Sequence, residues 1–276
     1  METTPTFEEL ISSKPYKFTI GPNKREFVMH SALVAAQSRA FGRFVNSGFK
    51  EAEEFHTELK SVSEETFVLF SQYAYTGDYE LLELNPRPRV DVQEVEAAVR
   101  CYDSPLAAEP EPAVDPGWGL EVTGKKRKKK QSVPKYTYSR TDLWKDFTLA
   151  CAIAVEPPPK RPGAVVDNGN VLLSHAQLYV FANCYGISRL SELSFDRLGK
   201  ALLEMKVTAE LVADIIELLS YCYDEPTPER LRNHLVLYAA CMADELWSNI
   251  QFKELVTTHG DFAAALLGVM IEGQVR

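Results

Sequence analysis

The chain has little that could hold a metal. Its five histidines are scattered, and its five cysteines, Cys101, Cys151, Cys184, Cys222 and Cys241, form no CxxC pair. Tetrahedral metal sites draw on His and Cys ligands at close, repeated spacing, so no metal centre is expected. The cysteine count is odd, and four of the five thiols lie in apolar helical patterns, which predicts reduced thiols rather than a disulfide framework. Long apolar runs are missing as well. No stretch reaches the roughly eighteen uninterrupted apolar residues of a membrane span, so none is predicted. The opening METTPTFEEL lacks a basic region and an apolar core, so no secretory signal is expected. There is no Gly-rich phosphate loop, nucleophile elbow or paired-carboxylate motif, so neither catalysis nor a cofactor is expected. Cations are in deficit: 30 Lys and Arg stand against 39 Asp and Glu, for a net charge of −9. That balance argues against generic nucleic-acid binding by the whole molecule.

What is present is an ordinary globular composition, 45% hydrophobic and 25% charged over 276 residues, enough for one or two domains. The densest pattern lies between residues 18 and 80. Phe18, Ile20, Phe27 and Met29 alternate on either side of Gly21-Pro22-Asn23-Lys24, which predicts two short strands around a turn. Ser31 is placed to cap a short helix carrying Leu33, Val34 and Ala35. Ser38 is placed to cap a second, with Phe41, Phe44 and Val45 at spacings of three and four and Gly48 as its terminator. Phe55, Thr57 and Leu59 alternate as a third strand would. Ser63 then caps a helix with Glu64 and Glu65 in the first turn, where the dipole favours acids, and with Phe67, Phe70, Tyr73 and Ala74 on its apolar face.

The order of these elements and their anchor residues resemble the BTB/POZ family. The matching positions are His30-Ser31 followed by Leu33, Ser38 with Phe41, Phe49-Lys50-Glu51, Leu59, and Tyr73-Ala74-Tyr75-Thr76-Gly77. Lys14-Pro15-Tyr16-Lys17-Phe18 stands where many members open the first strand with Asp-Val. The resemblance implies an α+β fold, a short three-stranded sheet with helical hairpins, passing into an all-α C-terminal extension. It implies protein–protein recognition without catalysis. A homodimer is a further partner expectation, although the family's dimer-forming N-terminal segment is reduced here to residues 1–13. Phe49 and Glu51 lie where BTB adaptors touch a cullin scaffold: Phe49 would enter a hydrophobic pocket while Glu51 makes a charge-assisted hydrogen bond. The other reading packs Phe49 on its own helix and leaves Glu51 a solvated loop acid. His30 is expected to fix the strand-to-helix turn, and Tyr73 and Tyr75 to form core and rim.

Composition changes from residue 84 to 135, which holds seven of the sixteen prolines. Apart from a short helical pattern at residues 92–99, a largely disordered insert is expected there. It ends in Lys125, Lys126, Arg127, Lys128, Lys129 and Lys130, read as a nuclear-import signal, as a nucleic-acid contact or as a solvated loop. Residues 139–155 regain helical spacing through Leu143, Phe147, Ala150, Cys151 and Ala154. After further prolines and a turn or short extended piece at residues 165–169, Ser174-His175-Ala176-Gln177 reads as a capping box rather than as catalytic Ser and His. The helix it opens carries Leu178, Phe181, Ala182 and Tyr185 and stops at Gly186. A second follows over residues 188–203. The string LYVFANCYGISRLSEL resembles the closing helix pair of a BTB fold. Residues 1–203 are therefore expected to form one domain interrupted at about 84–173, with residues 204–276 a helical extension opened by Thr208 and then by Thr227-Pro228-Glu229, whose helix is expected to reach about Trp247. The function implied is that of an adaptor to a cullin-type ubiquitin ligase, in nucleus or cytoplasm. The alternative is a self-associating scaffold in a nuclear complex. The chain shows no separate reading domain such as kelch repeats, so the C-terminal helices or the insert would recognise the partner.

Overall fold

The computed structural model describes residues 5–46, 55–81, 140–151, 171–205 and 208–272, all within one compact unit. Gly48 and the patterns at residues 92–99 and 165–169 lie outside them. The fold is α+β, a small three-stranded sheet with many helices.

Helix α1 (Phe7–Ser12) opens on a capping box in which Thr6 and Glu9 satisfy each other's backbone donors. Strands β1 (Pro15–Ile20) and β2 (Arg25–His30) pair antiparallel, with Phe18 opposite Phe27. Helices α2 (Ser31–Gln37) and α3 (Arg39–Asn46) carry the chain across to β3 (His56–Leu59), which pairs parallel to β1 and gives the order β2-β1-β3. The central strand therefore buries Tyr16, Phe18 and Ile20 together on one face. Helix α4 (Glu64–Thr76) starts on the Ser63 cap and stops at Gly77, whose φ of +77° needs a residue without a Cβ.

Eight more helices follow among the described residues: α5 (Arg140–Cys151), α6 (Val171–Cys184), α7 (Ser188–Glu204), α8 (Ala209–Asp224), α9 (Glu229–Cys241), α10 (Ala243–Trp247), α11 (Ile250–Thr258) and α12 (Gly260–Glu272). Inside the range 84–173, α5 buries Leu143 and Phe147 against Tyr238 of α9 and its neighbours.

Helices α6 and α7 join two hydrophobic clusters. Leu178, Phe181, Ala182 and Leu190 close the cluster formed by the sheet and α2–α4. Leu172, Ala176, Tyr179, Phe195, Leu198 and Leu202 belong to the cluster formed by α5 and α8–α12. This explains why VLLSHAQLYVFANC is apolar nearly all round: a helix buried on two sides has no polar half. Each fully buried Leu or Phe contributes about 1.5–3 kcal/mol of transfer free energy, so this helix pair holds the two halves together.

Three local expectations change. Ser31 does not cap α2; its N–H donates to Lys14 O at 2.9 Å, and His30 occupies the cap position without its side chain bonding the helix's first turn. Ser174 is interior to α6, because buried Leu172 anchors an earlier turn that starts at Val171. The helix expected from Thr227 to Trp247 breaks at Met242, whose backbone leaves helical values at φ −104° and ψ 17° before α10 begins.

Candidate partner-binding groove

Of the residues singled out in the sequence, Phe49, Glu51 and the run Lys125, Lys126, Arg127, Lys128, Lys129 and Lys130 lie outside the described residues. His30 is where its expected role needs it. Its Nδ1 is 2.9 Å from the Tyr75 hydroxyl, and the same hydroxyl accepts from the His30 backbone N–H at 3.3 Å. The end of β2 is thereby tied to the end of α4. Tyr73 is buried and Tyr75 is exposed, as core and rim.

His175 is not part of a cap. It is buried in α6 with Nδ1 2.8 Å from the hydroxyl of buried Tyr79. Burial, with the charge of Arg197 added, holds the imidazole down at about 3, and burial pushes the Tyr79 phenol up. Neutral imidazole and protonated phenol share one hydrogen bond, whose direction follows the imidazole tautomer. Arg197 of α7 completes the clasp. Its guanidinium donates to Tyr79 O and to the Asp78 carboxylate and lies 4.3 Å from the Tyr79 ring centroid. Asp78 and Tyr79, just past α4, are thus fastened to a helix pair about a hundred residues later. The sequence separations of 96 and 118 residues left no local pattern to read.

A nucleophile and a base also meet in the second cluster, where Cys151 Sγ lies 3.8 Å from His234 Nε2. Catalysis by such a pair needs a thiol lowered towards thiolate beside an imidazolium. Here burial acts the other way: the Cys151 thiol is pushed up to about 11 and His234 is held down at about 4. Both groups are neutral and serve packing. Gly199 shows how close that packing is, since a Cβ there would stand 3.2 Å from Cys151 Sγ.

The feature best placed to receive a partner is a groove of about 550 Å³ where α4, α6 and the end of α8 converge. One wall is Val62, Ser63 and Thr66, at the loop before α4 and its first turn. The floor is a stripe of α6: Gln177, Val180, Phe181 and Cys184, which fall on one face at helical spacing. Tyr221, Glu225 and Pro226 form the opposite wall. Phe181 and Tyr185, with ring centroids 4.8 Å apart, continue the aromatic core below, since Phe181 also meets Phe70 at 5.0 Å and Tyr185 meets Phe41 at 5.1 Å. The floor is therefore rigid. Burial pushes the Tyr221 phenol up to about 12, with Cys222 and then Glu225 adding to it, and burial also raises Tyr185. Among the described residues the groove thus presents neutral phenols and apolar carbon, with Glu225 as the charged residue of its lining. Its volume is in the range of ligand-binding clefts, about 300–1,000 Å³. Among the described residues, no three His, Cys, Asp or Glu side chains group to hold a metal, and no single helix is long and apolar enough to cross a membrane.

No family model matches the chain, and no curated protein matches it.

Proposed function

We propose that the chain is a BTB/POZ-type protein-interaction module without catalytic activity, acting as an adaptor that brings a bound protein to a cullin-type ubiquitin ligase. One observation carries this reading. The strand, strand, helix, helix, strand, helix unit of residues 15–76 has its core closed by α6 and α7, from beyond residue 170. That is the order the resemblance to the family calls for, with the closing helix pair displaced by a long intervening stretch. Within the chain, Phe49 and Glu51 come after α3 and before β3, where the family's cullin-touching motif stands. Phe49→Ala combined with Glu51→Ala is expected to abolish co-purification of a cullin while leaving the melting temperature unchanged. A wild-type chain that retains no cullin at micromolar concentration would remove the ligase reading.

A second reading, a self-associating scaffold in a nuclear complex, draws on exposed apolar side chains of α1 and β2. Phe7 and Ile11 of α1 are 76% and 57% exposed, and Val28 of β2 is 60% exposed. Lys125 to Lys130 would supply the import signal. If this reading holds, the wild type sediments as a dimer and Phe7→Asp with Ile11→Asp sediments as a monomer.

A further inference from the structure

We propose that the groove between α4, α6 and α8 binds a linear peptide that carries an aromatic or aliphatic anchor next to Lys or Arg. This site shares no residue with the cullin motif, so it stands or falls independently of the ligase reading.

The anchor follows from the floor. Val180, Phe181 and Tyr185 line it, and the aromatic contacts beneath Phe181 and Tyr185 hold it in place, so the groove offers a fixed apolar seat. Preformed apolar seats with a few polar groups at the edge are where anchor residues gain most. The polar edge is the hydroxyl-bearing wall. Ser63 Oγ already caps Thr66 N, and Thr66 Oγ1 lies 3.5 Å from Gln177 Oε1. The Gln177 amide N–H then remains to donate to a peptide carbonyl.

The basic neighbour follows from charge. Glu225 is exposed on the wall formed by the end of α8, and among the described residues no Lys or Arg lines the groove. The cation nearest in sequence, Lys60, is already 3.5 Å from Glu58. The chain as a whole carries −9. An acidic peptide would meet repulsion at Glu225 and from the whole molecule, whereas Lys or Arg beside the anchor would be attracted on approach and paired once bound.

The probe is a random dodecapeptide library displayed on phage, selected on the full chain carrying Cys101→Ser. We expect enriched sequences with a Phe, Tyr, Trp, Leu or Ile anchor within a few residues of Lys or Arg. Cys184 is the exposed thiol of the groove, while Cys222 and Cys241 are buried and Cys151 is half-buried, so maleimide capture reports on occupancy. A saturating synthetic copy of the enriched peptide should slow capture of Cys184. Cys184→Arg, which fills the seat with a cation from an exposed position, should weaken binding at least about thirtyfold, and Glu225→Lys about tenfold. Both positions are exposed, so circular dichroism should be unchanged. The proposal is overturned by a consensus without a basic residue, by affinity that neither substitution moves, or by no enrichment over an unrelated protein. It is overturned equally if Cys184→Arg converts a dimer of the chain into a monomer, because the groove would then belong to a second copy.

Discussion

Phe181→Ala removes the side chain at the centre of the contact between the sheet and the helix pair. Phe181 is 4% exposed and touches three aromatic rings, with centroid distances of 6.3 Å to Phe41, 5.0 Å to Phe70 and 4.8 Å to Tyr185. Truncating a buried Phe to Ala costs about 3–5 kcal/mol, because transfer energy is lost and a cavity remains that rigid neighbours do not fill. For a domain of this size 1 kcal/mol moves the melting temperature by about 2–4 °C, so a fall of about 6–20 °C is expected. The location of the tryptophans makes the assay sharper. Trp144 lies against Phe147 and Tyr238, and Trp247 against Phe252, three rings of the second cluster, whereas Phe181 serves the first. In a Trp118→Phe background, tryptophan fluorescence follows only the second cluster and far-ultraviolet circular dichroism follows both. If α6 and α7 couple the clusters, Phe181→Ala shifts both urea transitions by the same amount. A fluorescence transition left at its wild-type midpoint while the dichroism transition moves would refute the coupling.

Acid should destabilise the fold in a window set by two histidines. Below about pH 6.5 the unfolded imidazoles take up protons, while folded His175 and His234 resist until about 3 and about 4, so stability falls as pH drops. Each contributes about 1 kcal/mol per pH unit, or about 2–4 kcal/mol together between pH 6.5 and 5, measured as urea midpoints. His175→Gln with His234→Gln should flatten that slope, and an unchanged slope would show that other groups titrate. In a Cys101→Ser chain, maleimide should label Cys184 rapidly and Cys151, Cys222 and Cys241 slowly, since burial raises the latter three thiols to about 11–12; equal rates would contradict the packing around them. Replacing Lys125, Lys126, Arg127, Lys128, Lys129 and Lys130 with Ala should shift a fluorescent fusion from nucleus to cytoplasm, and an unchanged distribution would remove the import reading.

Local chemistry was legible in the sequence wherever neighbours in the chain decide the structure. The hairpin between Ile20 and Arg25, the Ser38, Ser63 and Thr208 caps and the left-handed stop at Gly186 all follow from residues within a turn of one another. The apolar spacing around Leu143 and Phe147 likewise marked α5. Ser31 and Ser174 misled because a capping residue type says nothing about competing partners. The Ser31 N–H donates to Lys14 O, and Leu172 extends α6 by a turn. The clasp of Tyr79, His175 and Arg197 stayed hidden because its members are far apart in the chain. The groove was hidden for the same reason. Its floor stripe at 177, 180, 181 and 184 can be read from helical spacing, but Val62 and Tyr221 come to it only through the tertiary fold.

A core begun by residues 15–79 and completed by helices that follow residue 170 should survive a break in the chain between them. A specific protease site inserted after residue 110, cleaved to completion in the folded protein, tests this by native gel filtration. Co-elution of the two pieces at the volume of the uncut chain, with the melting temperature retained, is the predicted result. Separation of the pieces into two peaks would show that α6 and α7 do not close the sheet's core.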